Sequence, residues 1–452
     1  MTNFPAEFRW GVATSAYQVE GAALEGGREP SIWDTFARIP GAIEDGSTGD
    51  EACDHYHRTA QDIDLMRRLG VNAYRFSVSW PRVFPTGRGR PNEEGLRFYE
   101  QLVDDLLGAG IEPMITLYHW DLPRALQDAG GWPARDTGKF FVDYACTVAR
   151  RLGDRAKLGV THNEPWCVAM LGHLMGVHAP GEKRLESALA TAHHLLLSHG
   201  WCREAMRTEL AKDAQVGIVL NLTPGEPASP SEEDAEATRA FDGSFNRWYL
   251  DPLFHGVYPE DVIEDHRRAL GRDPMSFVEE GDMDIIRGKD DFLGVNYYSR
   301  AVLRAETESN APREIPPVPE EEKTDMGWEV YPEGLTDLLI RLKRDYSVPP
   351  IYITENGCAF TYPPDASGRI EDTRRIGFIE SHVAAVAAAM DAGVDVRGYY
   401  HWSLLDNFEW GHGYTKRFGL VWVDYETQER RLKQSAYRYA DIIASGGLEN
   451  MT

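Results

Sequence analysis

Eight short runs rich in β-forming residues recur along the 452-residue chain, and longer stretches with helical spacing separate them. Amphipathic helical patterns occur in these stretches, for example at residues 59–69, 96–107 and 378–390. Strand–helix alternation repeated eight times predicts an α/β protein whose parallel strands close into a (β/α)8 TIM barrel. The predicted strands are residues 9–17, 72–79, 112–118, 158–162, 216–222, 292–298, 350–354 and 396–402.

No Ser/Gly-rich linker, low-complexity tract or internal repeat divides the chain, so we predict a single barrel domain over residues 1–452. Residues 303–324 follow the sixth predicted strand and are rich in Pro and Glu, and residues 224–234 have a similar character. We interpret both segments as long surface loops that elaborate the connections between strands and helices.

Charge composition argues against two classes of partner. The chain has 72 acidic and 47 basic residues, a net charge of −25, which repels nucleic-acid phosphates and anionic lipid surfaces. No stretch approaches the roughly 18 consecutive apolar residues of a membrane span, and residues 1–8 lack the features of an export signal. The five cysteines are scattered, as is typical of thiols in a reducing compartment. We therefore expect a cytoplasmic protein without nucleic-acid or membrane partners.

Polar and aromatic residues stand where seven of the eight predicted strands end. In a (β/α)8 barrel the C-terminal ends of the strands carry the chemistry, whereas Val, Ile and Leu fill the interior. One or two such residues could be structural, but seven strand ends favour a functional site. The residues are Gln18, Arg75, His119, Trp120, Asn163, Glu164, Asn296, Tyr298, Glu355 and Trp402.

Two of these residues, Glu164 and Glu355, suggest cleavage of a glycosidic bond. That reaction needs one carboxyl group to protonate the leaving oxygen and another to meet the positive charge that develops on the sugar. Either glutamate alone could be an ordinary loop carboxylate or an ion-pair partner. Their positions at the ends of the fourth and seventh strands, with Asn163 directly before Glu164, favour the catalytic interpretation.

Longer motifs around both glutamates resemble those of a known family. Residues 161–165 read Thr-His-Asn-Glu-Pro, and residues 353–357 read Ile-Thr-Glu-Asn-Gly. Further matching segments are residues 8–21, 54–57, 76–82 and 402–410. In this order, and over nearly the whole chain, they resemble family 1 glycoside hydrolases, in particular bacterial β-glucosidases. The chain departs from the pattern at His162, where many members have an apolar residue, and we expect it to alter the polarity beside Glu164.

The resemblance implies a retaining, exo-acting mechanism through a covalent glycosyl-enzyme intermediate, with Glu355 as nucleophile and Glu164 as acid and then base. Tyr298 would orient Glu355 with Asn296 in support, and Arg75 would keep Glu355 anionic, although a barrel-floor ion pair also accounts for Arg75. Two carboxylates about 5 Å apart repel each other by about 3 kcal/mol at an effective dielectric of about 20. The charge of Glu355 would therefore keep Glu164 protonated until esterification removes that charge.

The resemblance also implies which side chains hold the sugar. The hydroxyl-binding residues would be Gln18, His119, Asn163, Glu409 and Trp410; Trp402 would form the floor, and Trp120, Trp328 and Phe418 the walls. Core packing is the alternative for each tryptophan, and we favour it for Trp10, Trp33, Trp80 and Trp248.

The implied substrates are β-glucosides or cello-oligosaccharides with a terminal β-D-glucosyl residue, and β-D-fucosyl and β-D-galactosyl residues stay open. Family members that act on 6-phosphorylated glycosides carry Ser, Lys and Tyr where this chain has Glu409, Lys416 and Phe418. A carboxylate repels a phosphate dianion in a poorly solvated pocket, so Glu409 predicts an unphosphorylated substrate.

Two other functions stay open at this point. One is an enzyme that mainly transfers the sugar to an acceptor, with Trp166 or residues 224–234 as acceptor sites, and the other is a non-catalytic sugar-binding barrel. We predict no cofactor and no metal site, because the His55-Tyr56-His57 motif opens a helix instead of ending the first strand. His193, His194 and His199 lie on an apolar helix and are expected to be satisfied core residues. The sequence leaves a homo-oligomer open.

Overall fold

The structure, a computed structural model, describes residues 4–306, 312–315 and 318–448. The strands are β1 Arg9–Ala13, β2 Ala73–Ser77, β3 Glu112–Tyr118, β4 Leu158–Asn163, β5 Gln215–Asn221, β6 Gly225–Pro227, β7 Phe292–Asn296, β8 Ala301–Ala305, β9 Pro312–Glu314, β10 Ile351–Asn356, β11 Val396–Trp402, β12 Val421–Val423 and β13 Arg430–Leu432.

The helices of the described residues alternate with these strands. The α-helices are α1 Ala16–Val19, α2 Ile32–Phe36, α3 His55–Leu69, α4 Trp80–Val83, α5 Glu93–Gly108, α6 Arg124–Asp128, α7 Asp136–Leu152, α8 Leu185–Met206, α9 Glu232–Asp242, α10 Trp248–Phe254, α11 Glu260–Leu270, α12 Asp282–Ile286, α13 Pro332–Arg341, α14 Thr373–Asp391 and α15 Gln434–Ser445. Short π-helices lie at Cys167–Met175, Gly243–Arg247 and Leu342–Tyr346, and 3-10 turns at Glu320–Glu322 and Trp410–His412.

Eight strands close into a barrel in the order β1, β11, β10, β7, β5, β4, β3 and β2. Every neighbouring pair in this ring is parallel. The predicted (β/α)8 barrel is therefore confirmed. Because all eight strands run the same way, their C-terminal ends meet at one face, and the residues predicted at those ends come together there.

Apolar residues form two separate cores on either side of the barrel wall. The larger core packs the helices onto the barrel, and α5 contributes its buried side chains Leu96, Tyr99, Leu102, Val103 and Leu106, which recur at helical spacing. The smaller core fills the barrel interior with residues such as Met114, Val160, Val219 and Phe292, and reaches Trp402 and Phe418. The barrel is therefore a packed support for whatever lies at its C-terminal face.

The predicted limits of the first strand are wrong at its C-terminal end. β1 ends at Ala13, and Tyr17 and Gln18 lie on the short helix α1. The turn forms because the Ala16 N–H donates to Ser77 Oγ (2.7 Å) at the end of β2, which fixes the start of the helix. The seventh and fourth barrel strands, β10 and β4, are longer than predicted and include Glu355 and Asn163 themselves.

The three predicted helical patterns lie within α3, α5 and α14, so those predictions are confirmed. Their ends follow local chemistry. The Asn92 side chain accepts a hydrogen bond from the Glu94 N–H at the start of α5, and Gly70 ends α3 at a positive φ of 71°.

The two predicted surface loops contain regular structure. β6, from residues 224–234, pairs in parallel with β8, and β9 pairs antiparallel with β8 on its other side. α9 covers this three-stranded sheet through contacts of Ala237 and Phe241 with Ala301 and Leu303. The prediction from Pro- and Glu-rich composition missed this sheet, because the strands that pair in it come from segments far apart in the sequence. In the predicted loop at residues 303–324, residues 307–311 and 316–317 lie outside the described residues. The assignment of the chain to a single domain stays a prediction.

All five cysteines are free thiols; four are buried and Cys146 is half-buried. Among the described residues, no helix combines the length and apolarity that a membrane crossing requires.

Candidate active site

A cavity of about 670 Å³ opens at the C-terminal face of the barrel. Eleven of the predicted site residues line it: His119, Trp120, Glu164, Asn296, Tyr298, Trp328, Glu355, Trp402, Glu409, Trp410 and Phe418. They come from strand ends and loops spread over most of the chain, and barrel closure alone brings them together.

Glu355 is held at both carboxylate oxygens. Arg75 from β2 donates to Oε1 at 2.5 Å, and the Tyr298 hydroxyl donates to Oε2 at 2.6 Å. The carboxyl group is almost completely buried, with 4% of the side chain exposed. Gly357, two residues later, permits this arrangement, because a Cβ there would lie 1.7 Å from the Trp402 carbonyl oxygen. The end of β10 thus lies against the end of β11 with Glu355 aimed into the cavity.

Glu164 lies directly after β4 in an unusual backbone conformation. Its φ is 51°, a left-handed value that costs a non-glycine residue about 1 kcal/mol or more and that recurs at functional sites. Its backbone N–H donates to the Val219 carbonyl oxygen (2.9 Å), which holds the turn against β5. The Glu164 side chain accepts one hydrogen bond at each oxygen, from Asn296 Nδ2 at Oε1 (2.6 Å) and from the Cys167 thiol at Oε2 (3.1 Å).

A chain of hydrogen bonds connects the two glutamates, and the donor and the acceptor in each bond follow from the groups involved. Arg75 can only donate, so Asn163 presents its oxygen to Arg75 (2.7 Å). The Asn296 amide contacts the same Asn163 oxygen (3.1 Å), so the group that makes this contact is its NH2. That NH2 also donates to Glu164. Arg75, Asn163 and Asn296 therefore hold both carboxyl groups in one network that starts from a buried cation.

Burial shifts the acidity of both carboxyl groups in the same direction. Burial raises the pKa of Glu164 to about 7, and the negative charge of Glu355 adds to the increase. Burial also raises the pKa of Glu355, but Arg75 and Tyr298 oppose that rise by stabilising its charged form. The expected cause for Glu164, repulsion by Glu355, is thus present but second to burial. Arg75 and Tyr298 thus favour the charged form of Glu355, whereas the charge of Glu355 favours the protonated form of Glu164.

Aromatic side chains enclose one side of the cavity. The His119 ring stacks on Trp402 and on Trp410, with ring centroids 5.9 Å apart in both pairs. Trp120 packs against Trp410 with centroids 4.5 Å apart. Trp120 and Trp410 both have a positive φ, of 80° and 49°. Their backbone is therefore held in conformations that only the surrounding structure makes favourable.

The other side is closed by Tyr298, Trp328 and Phe418. Ring centroids of Tyr298 and Trp328 are 5.4 Å apart, and those of Trp328 and Phe418 are 6.3 Å apart. Trp402 and Phe418 belong to the interior core of the barrel, so this wall continues the packed interior. The apolar faces of these rings suit the C–H faces of a sugar ring.

Glu409 lies in the cavity with an unsatisfied oxygen. The residue is half-buried, and its Oε2, which is itself buried, has no hydrogen-bond partner among the described residues. Burial raises the pKa of Glu409 to about 8, and the charges of Glu355 and Glu164 add to the increase. A buried polar atom without a partner is costly unless a ligand supplies one. Glu409 is therefore prepared to bind a hydroxyl group.

Three predicted residues lie outside the cavity lining that the structure describes: Gln18, Arg75 and Asn163. Arg75 and Asn163 belong to the hydrogen-bond network described above. The Gln18 amide donates to Asn407 Oδ1 (3.0 Å) and to the Phe408 carbonyl oxygen (2.9 Å), and accepts from Ser15. Gln18 thus supports the segment that carries Glu409, and its contact with a sugar stays a prediction.

The expectation that His162 alters the polarity beside Glu164 does not agree with its position. Side chains of neighbouring strand residues alternate between faces, so His162 points away from the cavity. It packs against Phe141 with ring centroids 4.3 Å apart, and its Nε2 hydrogen-bonds to Ser198 on α8. His162 is a core residue between the barrel and its helices.

Sequence reasoning named Trp166 as a candidate acceptor site, but it missed the phenylalanines beside Trp166 and one partner of Glu164. Trp166 packs against Phe245 (4.2 Å between centroids), which in turn stacks on Phe241 at the end of α9. All three line the outer part of the cavity. Cys167 also lines it, and its spacing of three residues from Glu164 is a signal that helical geometry could have revealed.

The other histidine motifs are structural. His55 Nδ1 lies 2.7 Å from Asp62, and His57 Nδ1 lies 2.6 Å from Asp54. On α8, His193 contacts Asp282 (2.9 Å), as expected of a satisfied core histidine. His194 and His199 likewise contact the Trp132 carbonyl oxygen and Asp290. In the described ranges no group of three or more His, Cys, Asp or Glu side chains is arranged to hold a metal ion.

The fold and the site together define a class. A (β/α)8 barrel that buries two linked carboxyl groups in an aromatic cavity at its C-terminal face has the construction of a glycoside-cleaving enzyme. The chain matches the family model for glycosyl hydrolase family 1 over residues 1–448. The chain therefore belongs to glycosyl hydrolase family 1, as its motifs predict.

Several known proteins are similar to this chain over its length. β-Glucosidase A of Acetivibrio thermocellus is 48% identical over 446 residues, which are 98% of this chain and 99% of that protein. A bifunctional β-D-glucosidase/β-D-fucosidase of Bifidobacterium breve is 43% identical over 461 residues, covering 98% of each. The solved structure of a Thermotoga maritima β-glucosidase in complex with deoxynojirimycin has a TM-score of 0.94 at 44% identity and covers 99% of this chain and 100% of that one.

Proposed function

We propose that this chain is a retaining, exo-acting β-glucosidase that releases terminal, unphosphorylated β-D-glucosyl residues from small glucosides or cello-oligosaccharides. One observation carries the proposal: Glu355, anchored by Arg75 and Tyr298, lies in one cavity with Glu164, which Asn296 holds. Paired carboxyl groups with opposite protonation states are what glycoside cleavage with retention uses.

In the first step, the Glu355 carboxylate attacks the anomeric carbon and the bond to the leaving oxygen breaks. Glu164 gives its proton to that oxygen, so the aglycone departs as a neutral alcohol. Burial, with the charge of Glu355, keeps Glu164 protonated near neutral pH, its pKa being raised to about 7. Arg75 and Tyr298 aim the carboxylate oxygens of Glu355 and stabilise its charge.

In the second step, water replaces the enzyme at the anomeric carbon. Formation of the ester removes the negative charge of Glu355, so the electrostatic part of the pKa increase at Glu164 disappears. Glu164, which gave up its proton in the first step, therefore stays ionised and takes a proton from water as that water attacks the anomeric carbon. The bond to Glu355 breaks, and the sugar is released with its original anomeric configuration. One group thus serves as acid and base because its partner changes charge.

The sugar-binding side of the cavity supports a hexose with free hydroxyl groups. Glu409 offers a buried oxygen without a partner, and the rings of Trp402 and Phe418 offer apolar surfaces. The related enzyme of Bifidobacterium breve is named for both glucosidase and fucosidase activity, which supports tolerance of β-D-fucosides here as well. Lys416 is not among the lining residues of the cavity. Its charge acts on Glu44, whose pKa is lowered mainly by the hydrogen bond from His412 and to a smaller extent by Lys416. The lining includes Arg300, but Glu226 and Glu329 already pair with its guanidinium group, so its charge is not free to favour a phosphate.

Transglycosylation at the same site is a second candidate. The aromatic surface of Trp166, Phe245 and Phe241 at the outer part of the cavity could hold an acceptor sugar in place of water. A product assay at rising glucoside concentration separates the two outcomes. The non-catalytic sugar-binding function is disfavoured, since both carboxyl groups are present and linked.

Labelling tests the proposal directly. A 2-deoxy-2-fluoro-glucoside with a good leaving group should inactivate the enzyme with a stoichiometric label on Glu355. The fluorine slows both steps, but the good leaving group speeds the first step only, so the glycosyl-enzyme accumulates. Glu355→Gln, which keeps size but removes the nucleophile, is the matched control and should take no label. Peptide mapping that places the label on another residue would overturn the assignment.

A further inference from the structure

Cys167 makes a contact that the proposed mechanism does not use. It is the first residue of the π-helix Cys167–Met175, and its backbone N–H donates to the Glu164 carbonyl oxygen (3.0 Å). Its thiol lies 3.1 Å from Glu164 Oε2. The side chain lines the cavity and is buried, with 7% of the residue exposed. A short turn therefore holds the thiol against the carboxyl group of the proposed acid and base.

The two oxygens of Glu164 have different neighbours. Oε1 accepts an N–H from Asn296, a group that can only donate on that side. The acid proton therefore belongs on Oε2, the oxygen beside Cys167. A thiol can donate weakly through its S–H and accept weakly through its sulfur. The same side chain can thus contact Oε2 when Glu164 is protonated and when it is ionised.

Other titratable and charged groups also face this pair. Glu355 and Glu409 act on both Glu164 and Cys167, while Arg75 acts on Glu164. Tyr298 faces Glu164 from β7, and Tyr249 faces Cys167 from α10. A change at Cys167 that leaves these five residues in place changes only the contact at Oε2.

We propose that Cys167 is a positioning residue for Glu164, whose thiol holds the Oε2 side of the carboxyl group and stabilises the ionised form that acts as base. This inference rests on the proposed function. Loss of the donor should make Glu164 harder to ionise. A higher pKa of Glu164 should move two limbs of the pH profiles upward. One is the alkaline limb of kcat/KM, where the free enzyme loses the proton of its acid. The other is the acidic limb of kcat for a dinitrophenyl glucoside, where the glycosyl-enzyme loses its base.

The experiment compares pH profiles of wild type, Cys167→Ala, Cys167→Val and Cys167→Ser. Both apolar variants should move both limbs upward by about half a pH unit, the effect of one weak hydrogen bond to a charge. Cys167→Ser keeps a donor and should lie nearer to wild type. Cys202→Ala, which also empties a buried thiol position but lies outside the cavity lining, should leave both limbs unchanged.

The outcomes separate this inference from the function on which it rests. Lower rates in Cys167→Ala and Cys167→Val without movement of either limb would mean that Cys167 only fills space, and would overturn the inference. If one apolar variant does not fold, the other provides the test, because Ala is smaller than Cys and Val is larger. A wild type that does not hydrolyse β-glucosides would overturn the proposed function, and this inference with it.

Discussion

Asp406 and Glu409 lie three residues apart on the segment after β11, yet their surroundings are opposite. Asp406 is buried, whereas Glu409 is half-buried with a buried Oε2 in the cavity. Asp406 accepts hydrogen bonds from Lys433 Nζ (2.6 Å), from Arg417 (2.8 Å) and from the Gly419 N–H (2.9 Å). Burial favours a higher pKa for Asp406, but the two cations outweigh it and hold the pKa below its usual range. We call Asp406, Arg417 and Lys433 the ionic hub.

Glu409 has no such partner in the described structure. Burial, with the charges of Glu355 and Glu164, raises the pKa of Glu409 to about 8, and its Oε2 is unsatisfied. We call Glu164, Glu355 and Glu409 the carboxyl cluster. The difference shows a division of labour within one loop. The ionic hub stabilises the fold, whereas the carboxyl cluster keeps polar groups ready for a ligand at a cost in stability.

The largest effect should come from Glu164→Ala, which removes the proposed proton donor of the carboxyl cluster. Glucosides with poor leaving groups should lose about 10²- to 10⁴-fold in kcat/KM, because their oxygen needs a proton to depart. Dinitrophenyl glucosides should lose far less, and added azide should restore turnover as a β-glucosyl azide product. Steady-state kinetics over a leaving-group series measure this, with His162→Ala as a nearby control outside the cavity. Equal losses for all leaving groups would contradict the role of Glu164.

The ionic hub is tested by Lys433→Met, which leaves a buried carboxylate with one cation fewer. Removing one partner of a buried ion pair costs about 3 kcal/mol of unfolding free energy. Denaturant titration should show this loss. Lys416→Met, a change of the same kind on a half-buried lysine of the same region, should change stability by less than about 0.5 kcal/mol. If the two variants are equally stable, the hub does not support the loop as described.

Charge in the carboxyl cluster should also set substrate choice. Wild type should prefer 4-nitrophenyl β-glucoside over its 6-phosphate by about 100-fold in kcat/KM, since a dianion placed near Glu409 costs several kcal/mol. The double variant Glu409→Ser with Phe418→Tyr should narrow or reverse this preference, while Phe418→Tyr alone controls for the new hydroxyl. A wild type that prefers the 6-phosphate would overturn the substrate assignment.

The smallest effect concerns the stability cost of Glu409. A carboxyl group whose pKa is higher in the folded than in the unfolded protein lowers the free energy of unfolding as the pH rises between those two values. For Glu409 this window extends from about 4.3 in the unfolded chain to about 8 in the folded protein. Glu409→Gln should therefore gain about 1 kcal/mol relative to wild type as the pH rises from 5 to 6. Thermal unfolding at several pH values measures this, and a gain that shrinks with pH would contradict it.

Local patterns in the sequence predicted the barrel because each strand and each helix has its own recognisable residue pattern. β11 occupies the predicted residues, and the patterns at α3, α5 and α14 were found from helical spacing. The site was recognised where a motif is continuous, as around Glu164 and Glu355, and those motifs matched a family that the comparisons confirm.

Features that depend on side-chain direction or distant pairing needed the tertiary structure. Strand alternation places His162 and Asn163 on opposite faces of β4, but only the structure shows that His162 faces the helices and that Asn163 joins the network with Arg75. The pairing of β6 with β8 joins two segments of loop-like composition, so no pattern within either one could show it.

The sequence by itself determined the barrel, the polar strand ends and the two glutamates, because hydrophobic period and motif order are properties of the chain alone. Only the tertiary structure decided the acidity of each carboxyl group. Asp406 and Glu409 are two acids of one motif, and only the partners brought by distant segments make one a stable ion pair and the other an unsatisfied group in the cavity. A pKa depends on burial and neighbouring charge, which exist only after folding.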